Sequence, residues 1–132
     1  MSKERVEAVR GVYAEWGKGN FQAGVDLYDP LALLVQGSGF PESGTYIGIE
    51  GIAEYMRTFL EAWTKVTIEA DELLDAGDSV VASVIQRGIG QGSGASTEFR
   101  YFHVWSFRGP RVIRLENFRE RAEALQAAGL SE

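Results

Sequence analysis

The run from Thr97 to Arg108, Thr-Glu-Phe-Arg-Tyr-Phe-His-Val-Trp-Ser-Phe-Arg, constrains the fold of this chain more than any other segment. At a period of two it places Phe99, Tyr101, His103, Trp105 and Phe107 on one face of a strand. A face so apolar must be buried against other elements, and the chain's one histidine stands in its middle. After Gly109-Pro110 the pattern resumes as Val-Ile-Arg-Leu-Glu-Asn-Phe-Arg, which predicts a hairpin. An aromatic wall with one ionisable group at its centre is the pattern of a small-molecule pocket.

Composition narrows what surrounds that wall. With 132 residues the chain predicts one domain spanning 1–132, and 45% hydrophobic residues supply a core. No cysteine is present, so disulfides and thiolate-metal sites are excluded, and a single histidine argues against zinc. The net charge of −6 argues against nucleic acid as a partner. The N-terminus has no apolar signal-peptide core and no run reaches the length of a membrane span. A soluble cytoplasmic protein that does not engage membranes is the expectation.

Along the chain, Val6, Val9, Tyr13 and Trp16 fall at helical spacing from Lys3 to Lys18. Asn20 is positioned to cap a short second helix through Tyr28, which Asp29-Pro30 ends. Leu31 to Gln36 reads as a short strand, and the glycine-rich stretch 37–48 as a loop. That loop lacks the Gly-Lys-Ser/Thr ending of a phosphate loop, so no nucleotide or other cofactor is expected. Ile52, Met56, Phe59, Leu60 and Trp63 mark a helix from Ile49 to Trp63. Val66–Leu74 and Ser79–Gly90 flank Ala76-Gly77-Asp78 as a hairpin, and Arg119–Ala128 predicts a closing helix with Gly129 as its cap. The order predicts an α+β fold: a curved antiparallel sheet with helices on its concave face.

Val6 to Trp16, Val25-Asp-Leu-Tyr-Asp, Gly48-Ile-Glu-Gly-Ile, Asp75-Ala-Gly-Asp and the final Phe102-His-Val-Trp-Ser-Phe-Arg-Gly-Pro-Arg-Val-Ile-Arg-Leu-Glu-Asn-Phe recur in this order over nearly the whole chain. In this the chain resembles the SnoaL-like and ketosteroid-isomerase-like proteins of the nuclear-transport-factor-two-like superfamily. The resemblance implies an α+β cone, a fold that hosts isomerases, cyclases, hydrolases and plain binding modules. The ketosteroid isomerases, which also serve as a standard illustration of a carboxylic acid kept neutral, use a tyrosine and a protonated aspartic acid as an oxyanion hole and a second aspartate as base. The resemblance places Tyr13 on the tyrosine, His103 on the oxyanion-hole acid and Gln36 at about the base. A carboxamide cannot act as a base, which argues against steroid-isomerase chemistry. No Asp or Glu stands out on the face shared with His103 to serve as the acidic residue that the resemblance implies for the cyclases.

Each candidate has a plain alternative. His103 is either a pocket acid, base or donor, or a buried imidazole bonded to a neighbour. Tyr13 is either a ligand donor or a core aromatic with a polar tip. Strand parity and the helix stripe place Tyr13, Trp16, Gln36, Trp63, Tyr101, His103, Trp105, Leu115 and Asn117 around the pocket. Arg119 shares the parity of Asn117, and solvent or a salt bridge is favoured for it over an anionic ligand.

The opposite sheet face is only half polar, with Phe102, Val104, Val112 and Phe118 among its residues. That predicts a homodimer through this face. Three functions fit: a cyclase- or isomerase-like enzyme moving a proton on a cyclic carbonyl or enolate, with Tyr13 and His103 holding the oxyanion; a non-catalytic module binding an apolar or aromatic small molecule; and a protein-association domain.

Overall fold

The computed structural model describes residues 2–37, 39–40 and 43–130. Helix α1 (Ser2–Trp16) is followed by a 3-10 turn (Val25–Leu27), β1 (Tyr28–Gln36), β2 (Gly44–Ile47) and α2 (Gly48–Glu61). Then come β3 (Trp63–Asp75), β4 (Ser79–Gly90), β5 (Ser96–Arg108), β6 (Arg111–Phe118) and α3 (Arg121–Ala127). The strands form one curved, open six-stranded sheet in the order β2-β1-β6-β5-β4-β3.

The α+β cone is the architecture, and the meander from β3 to β6 is antiparallel throughout. The sheet as a whole is mixed, because β1 lies parallel to β6, with Gln36 opposite Asn117. The stretch expected to be loop from 37 to 48 contains β2, which doubles back on β1 with Gln36 opposite Gly44. Backbone pairing forms that strand, since its side chains are largely exposed and leave no hydrophobic alternation to read. The second helix expected from Asn20 shrinks to the turn Val25–Leu27. Trp63 opens β3 instead of closing α2, and Leu60 is partly exposed while Tyr55 faces inward.

The concave face holds the main core. From α1 come Val9, Val12, Tyr13 and Trp16, and from the sheet Ile68, Val80, Ala82, Val84, Trp105, Phe107, Val112 and Leu115. A bulge at the β5–β6 pairing explains why Val112 belongs here. Ser106 pairs with Arg114 but Phe107 with Val112, so Ile113 is an extra residue and the parity of β6 reverses before it. Simple alternation had put Val112 on the other face.

That other face is not open at Val104. Helix α3 lies across it, and Val81, Val104, Ala124 and Leu125 form a second buried cluster edged by Leu74, Phe102 and Phe118. Val104 and Val112 are both buried within the chain, at 3% and 0% exposure. Helix α3 thus covers Val81 and Val104, while Phe102 and Phe118 at the edge of the cluster are only partly buried. Farther along the same face the surface is ionic, with Arg87 between Glu69 and Glu98, and Arg100 on Asp71.

Candidate functional site

The site begins with a relay behind the aromatic wall. Trp105 Nε1–H donates to Tyr13 Oη at 2.8 Å. Tyr13 Oη lies 2.6 Å from His103 Nδ1. An indole nitrogen is only a donor, so the phenol accepts from Trp105 and its own hydrogen goes to His103. Burial lowers the His103 pKa to about 3, which leaves the ring neutral at physiological pH. A neutral imidazole that accepts at Nδ1 carries its hydrogen on Nε2, a tautomer assigned from this network. Burial also holds the Tyr13 hydroxyl well above its ordinary pKa.

In front of His103 lies a small inner chamber of about 30 Å³, bounded by Trp16, Ile68, Tyr101, His103, Leu115 and Asn117 among others. An outer cavity of about 470 Å³ opens beyond it, and Tyr55, Phe59, Tyr101 and Asn117 line both. His103 and Asn117 are directly paired residues of β5 and β6, so their side chains stand side by side on the concave face.

The polar groups here are mostly amides and phenols. Asn117 Nδ2 donates to Gln36 Oε1, and Gln36 Nε2 donates to the Tyr55 hydroxyl at 2.6 Å. Tyr101 donates to Gln86 Oε1 at 2.7 Å. Asn117 Oδ1 is buried and has no hydrogen-bond partner among the described residues. Among the described residues, neither chamber is lined by an Asp or Glu.

The outer cavity is walled by Phe40, Tyr55, Phe59, Trp63 and Phe99. Gly88 makes room for one of these, since a Cβ there would stand 2.5 Å from Trp63 Cε3. At its rim Arg119 donates from Nη1 to the Gly39 carbonyl at 2.8 Å. Its stem packs flush on Gly39, where a Cβ would meet Arg119 Cδ at 2.5 Å.

The expected site residues thus separate into layers. Gln36, Trp63, Tyr101 and Asn117 line the outer cavity, while Trp16, His103 and Leu115 line the inner chamber. Tyr13 and Trp105 line neither chamber and stand behind His103, in hydrogen-bonded succession. The Tyr13 hydrogen is directed at His103, so of this pair His103 is the one that meets the chamber.

Tyr55, Phe59 and Gln86 carry more of the pocket than strand parity in β5 and β6 revealed. Gln86 had a signal, as the polar residue that continues the inward series Val80, Ala82, Val84. Tyr55 and Phe59 also had one, at the i,i+4 spacing of a helix face.

Residues 9–115 match the family model described as a SnoaL-like domain. Among solved structures, an NTF2-like protein from Burkholderia thailandensis E264 is 28% identical, with a TM-score of 0.78 over 92% of this chain and 97% of that one. TerC, co-crystallized with polyporic acid, is 19% identical with a TM-score of 0.77, covering 96% and 98% of the two chains. A protein of ketosteroid-isomerase-like fold from Catenulispora acidiphila DSM 44928, in complex with trimethylamine, is 19% identical with a TM-score of 0.74 over 94% and 93%. No protein of curated function matches the chain in sequence.

Proposed function

The chain belongs to the SnoaL-like domain family, and from that premise we propose that it binds a planar, hydroxyl-bearing small molecule, its ring in the outer cavity and its hydroxyl in the inner chamber. The observation that carries this reading is the paired His103 and Asn117. His103 offers Nε2–H as a donor, and Asn117 offers a buried acceptor that nothing among the described residues satisfies. A hydroxyl is the smallest group that answers both. Leaving a buried acceptor unmet costs about 1–3 kcal/mol, so a ligand that supplies the donor gains on that scale. A ketone or ether cannot donate, and a phenolate would meet Asn117 Oδ1 with like polarity.

The same geometry favours holding over proton abstraction. Nδ1 of His103 is engaged by Tyr13, and a ring with a pKa of about 3 is a weak base. Gln36 is engaged at both ends of its amide. In this reading the family's proton-transfer chemistry on cyclic carbonyl or enolate substrates is not retained, and the protein sequesters or senses its ligand.

Calorimetry with 2-naphthol, 2-methoxynaphthalene and 2-tetralone tests it. The naphthol is expected to bind at least tenfold more tightly than the other two and to be recovered unchanged. Asn117→Leu should erase that preference. Equal affinity for naphthol and its ether, or preference for the ketone, sinks the reading. A ketone preference would mean that the Asn117–Gln36 amide ladder runs in the opposite sense and presents N–H to the chamber.

A further inference from the structure

We infer that Arg119 is an anion anchor at the cavity rim, so that the ligand carries an acidic group at the end opposite its hydroxyl. This rests on the hydroxyl reading of the inner chamber for the direction in which the ligand lies. Asn117, near the end of β6, and Arg119, in the bend just after it, both line the outer cavity. Asn117 borders both chambers whereas Arg119 borders the outer one alone, which suits a fused or substituted aromatic ring with its polar groups at opposite ends.

The electrostatics point the same way. Arg100 also borders the cavity, but its guanidinium is paired with Asp71 across the ionic ladder. Arg119 has no carboxylate partner among the described residues, and its Nη1 bonds only to a neutral carbonyl. An arginine held by one backbone acceptor keeps further N–H groups of its planar fork for a carboxylate. The chain as a whole carries a net charge of −6, so its overall field repels anions. A preference for acids must therefore come from this local cation. Arg119 is exposed, as the sequence reading favoured, and its contact with Gly39 holds its stem at the rim.

The test uses 6-hydroxy-2-naphthoate and its methyl ester as calorimetric probes of the parent, Arg119→Gln and Arg119→Lys. Arg119 is exposed, so both variants should melt close to the parent. The parent should bind the acid at least tenfold more tightly than the ester, with the ratio falling as salt is raised. Arg119→Gln should weaken the acid alone, removing or reversing the ratio, and Arg119→Lys should retain part of it. An acid-to-ester ratio near one in the parent overturns the anchor, as does an equal loss of both ligands in Arg119→Gln. Naphthol and its methyl ether, run alongside, separate the two readings. A kept hydroxyl preference with no acid preference removes only the anchor. An Arg119-dependent acid preference without hydroxyl preference keeps the anchor and removes the inner subsite. Binding of none of these probes removes both.

Discussion

Tyr13 Oη sits 2.6 Å from His103 Nδ1, joining α1 to β5 across 90 residues of sequence. This bond decides what the histidine presents to the chamber, because it consumes the one lone pair that would make the ring a base.

It also sets a pH dependence. Burial depresses the His103 pKa to about 3, whereas an unfolded histidine titrates near ~6.5. Between these values the unfolded chain binds the extra proton, so stability rises with pH through this window and levels above it. Urea unfolding should show the loss on acidification below about pH 6.5, at up to ~1.4 kcal/mol per pH unit from this group. His103→Gln should remove that part of the slope. An unchanged slope in the variant would mean the histidine is not held neutral.

Tyr13→Phe should destabilize the fold by about 2 kcal/mol or more, since it strands both the Trp105 N–H and the His103 Nδ1 in the core. Equilibrium denaturation measures this. A change below about 0.5 kcal/mol would show that the relay contributes no more than an apolar contact.

Gly88→Ala should push Trp63 off the cavity wall, because the new methyl would stand 2.5 Å from its ring. Overpacking of this kind costs about 1–3 kcal/mol. Tryptophan fluorescence and naphthol affinity should change together, whereas altered stability with unaltered affinity would place Trp63 outside the binding surface.

Val104→Asp should destabilize the single chain by about 3 kcal/mol or more, because it buries an unpaired carboxylate beneath α3. The homodimer that the sequence predicts through this face would instead be split by the same substitution. Sedimentation and thermal melts together distinguish the outcomes: a dissociated but fully stable variant would return Val104 to an intermolecular surface.

The parent should show no appreciable steroid-isomerase turnover. General-base catalysis supplies about 100- to 10,000-fold, and Gln36 has no basic lone pair at neutral pH. Efficient conversion of a ketosteroid would require another base, and a solvent-isotope exchange assay at the substrate α-carbon would detect it.

Much of the cone was written in local pattern. The aromatic alternation of β5 depends only on the two-residue period of a strand, and the 3.6-residue period marks α1 and α2. From those signals the sequence reading set Trp16, Tyr101 and His103 on inward faces, and in the structure each lines a chamber, whereas Trp63 lines the outer cavity from β3 and not from the helix its spacing suggested. The Asp75–Gly77 turn is likewise local: Gly77 has φ of 80° and its N–H is held by Asp75 Oδ1 at 2.9 Å.

Tertiary structure decided what depends on neighbours distant in sequence. The parallel pairing of β1 with β6 and the bulge at Ile113 arise from strand-to-strand hydrogen bonding, which leaves no period in the residues themselves. The bulge sent Val112 into the core, and α3 covered Val104, because an apolar residue does not encode which partner will bury it. The division of roles in the site has the same origin. Sequence placed Tyr13 and His103 on one surface, but only the packing of α1 against the sheet turned the tyrosine's hydrogen onto the histidine and left Asn117 Oδ1 unpaired beside it. Hydrogen-bond direction is a property of three-dimensional neighbours, and it fixes which atoms face a ligand.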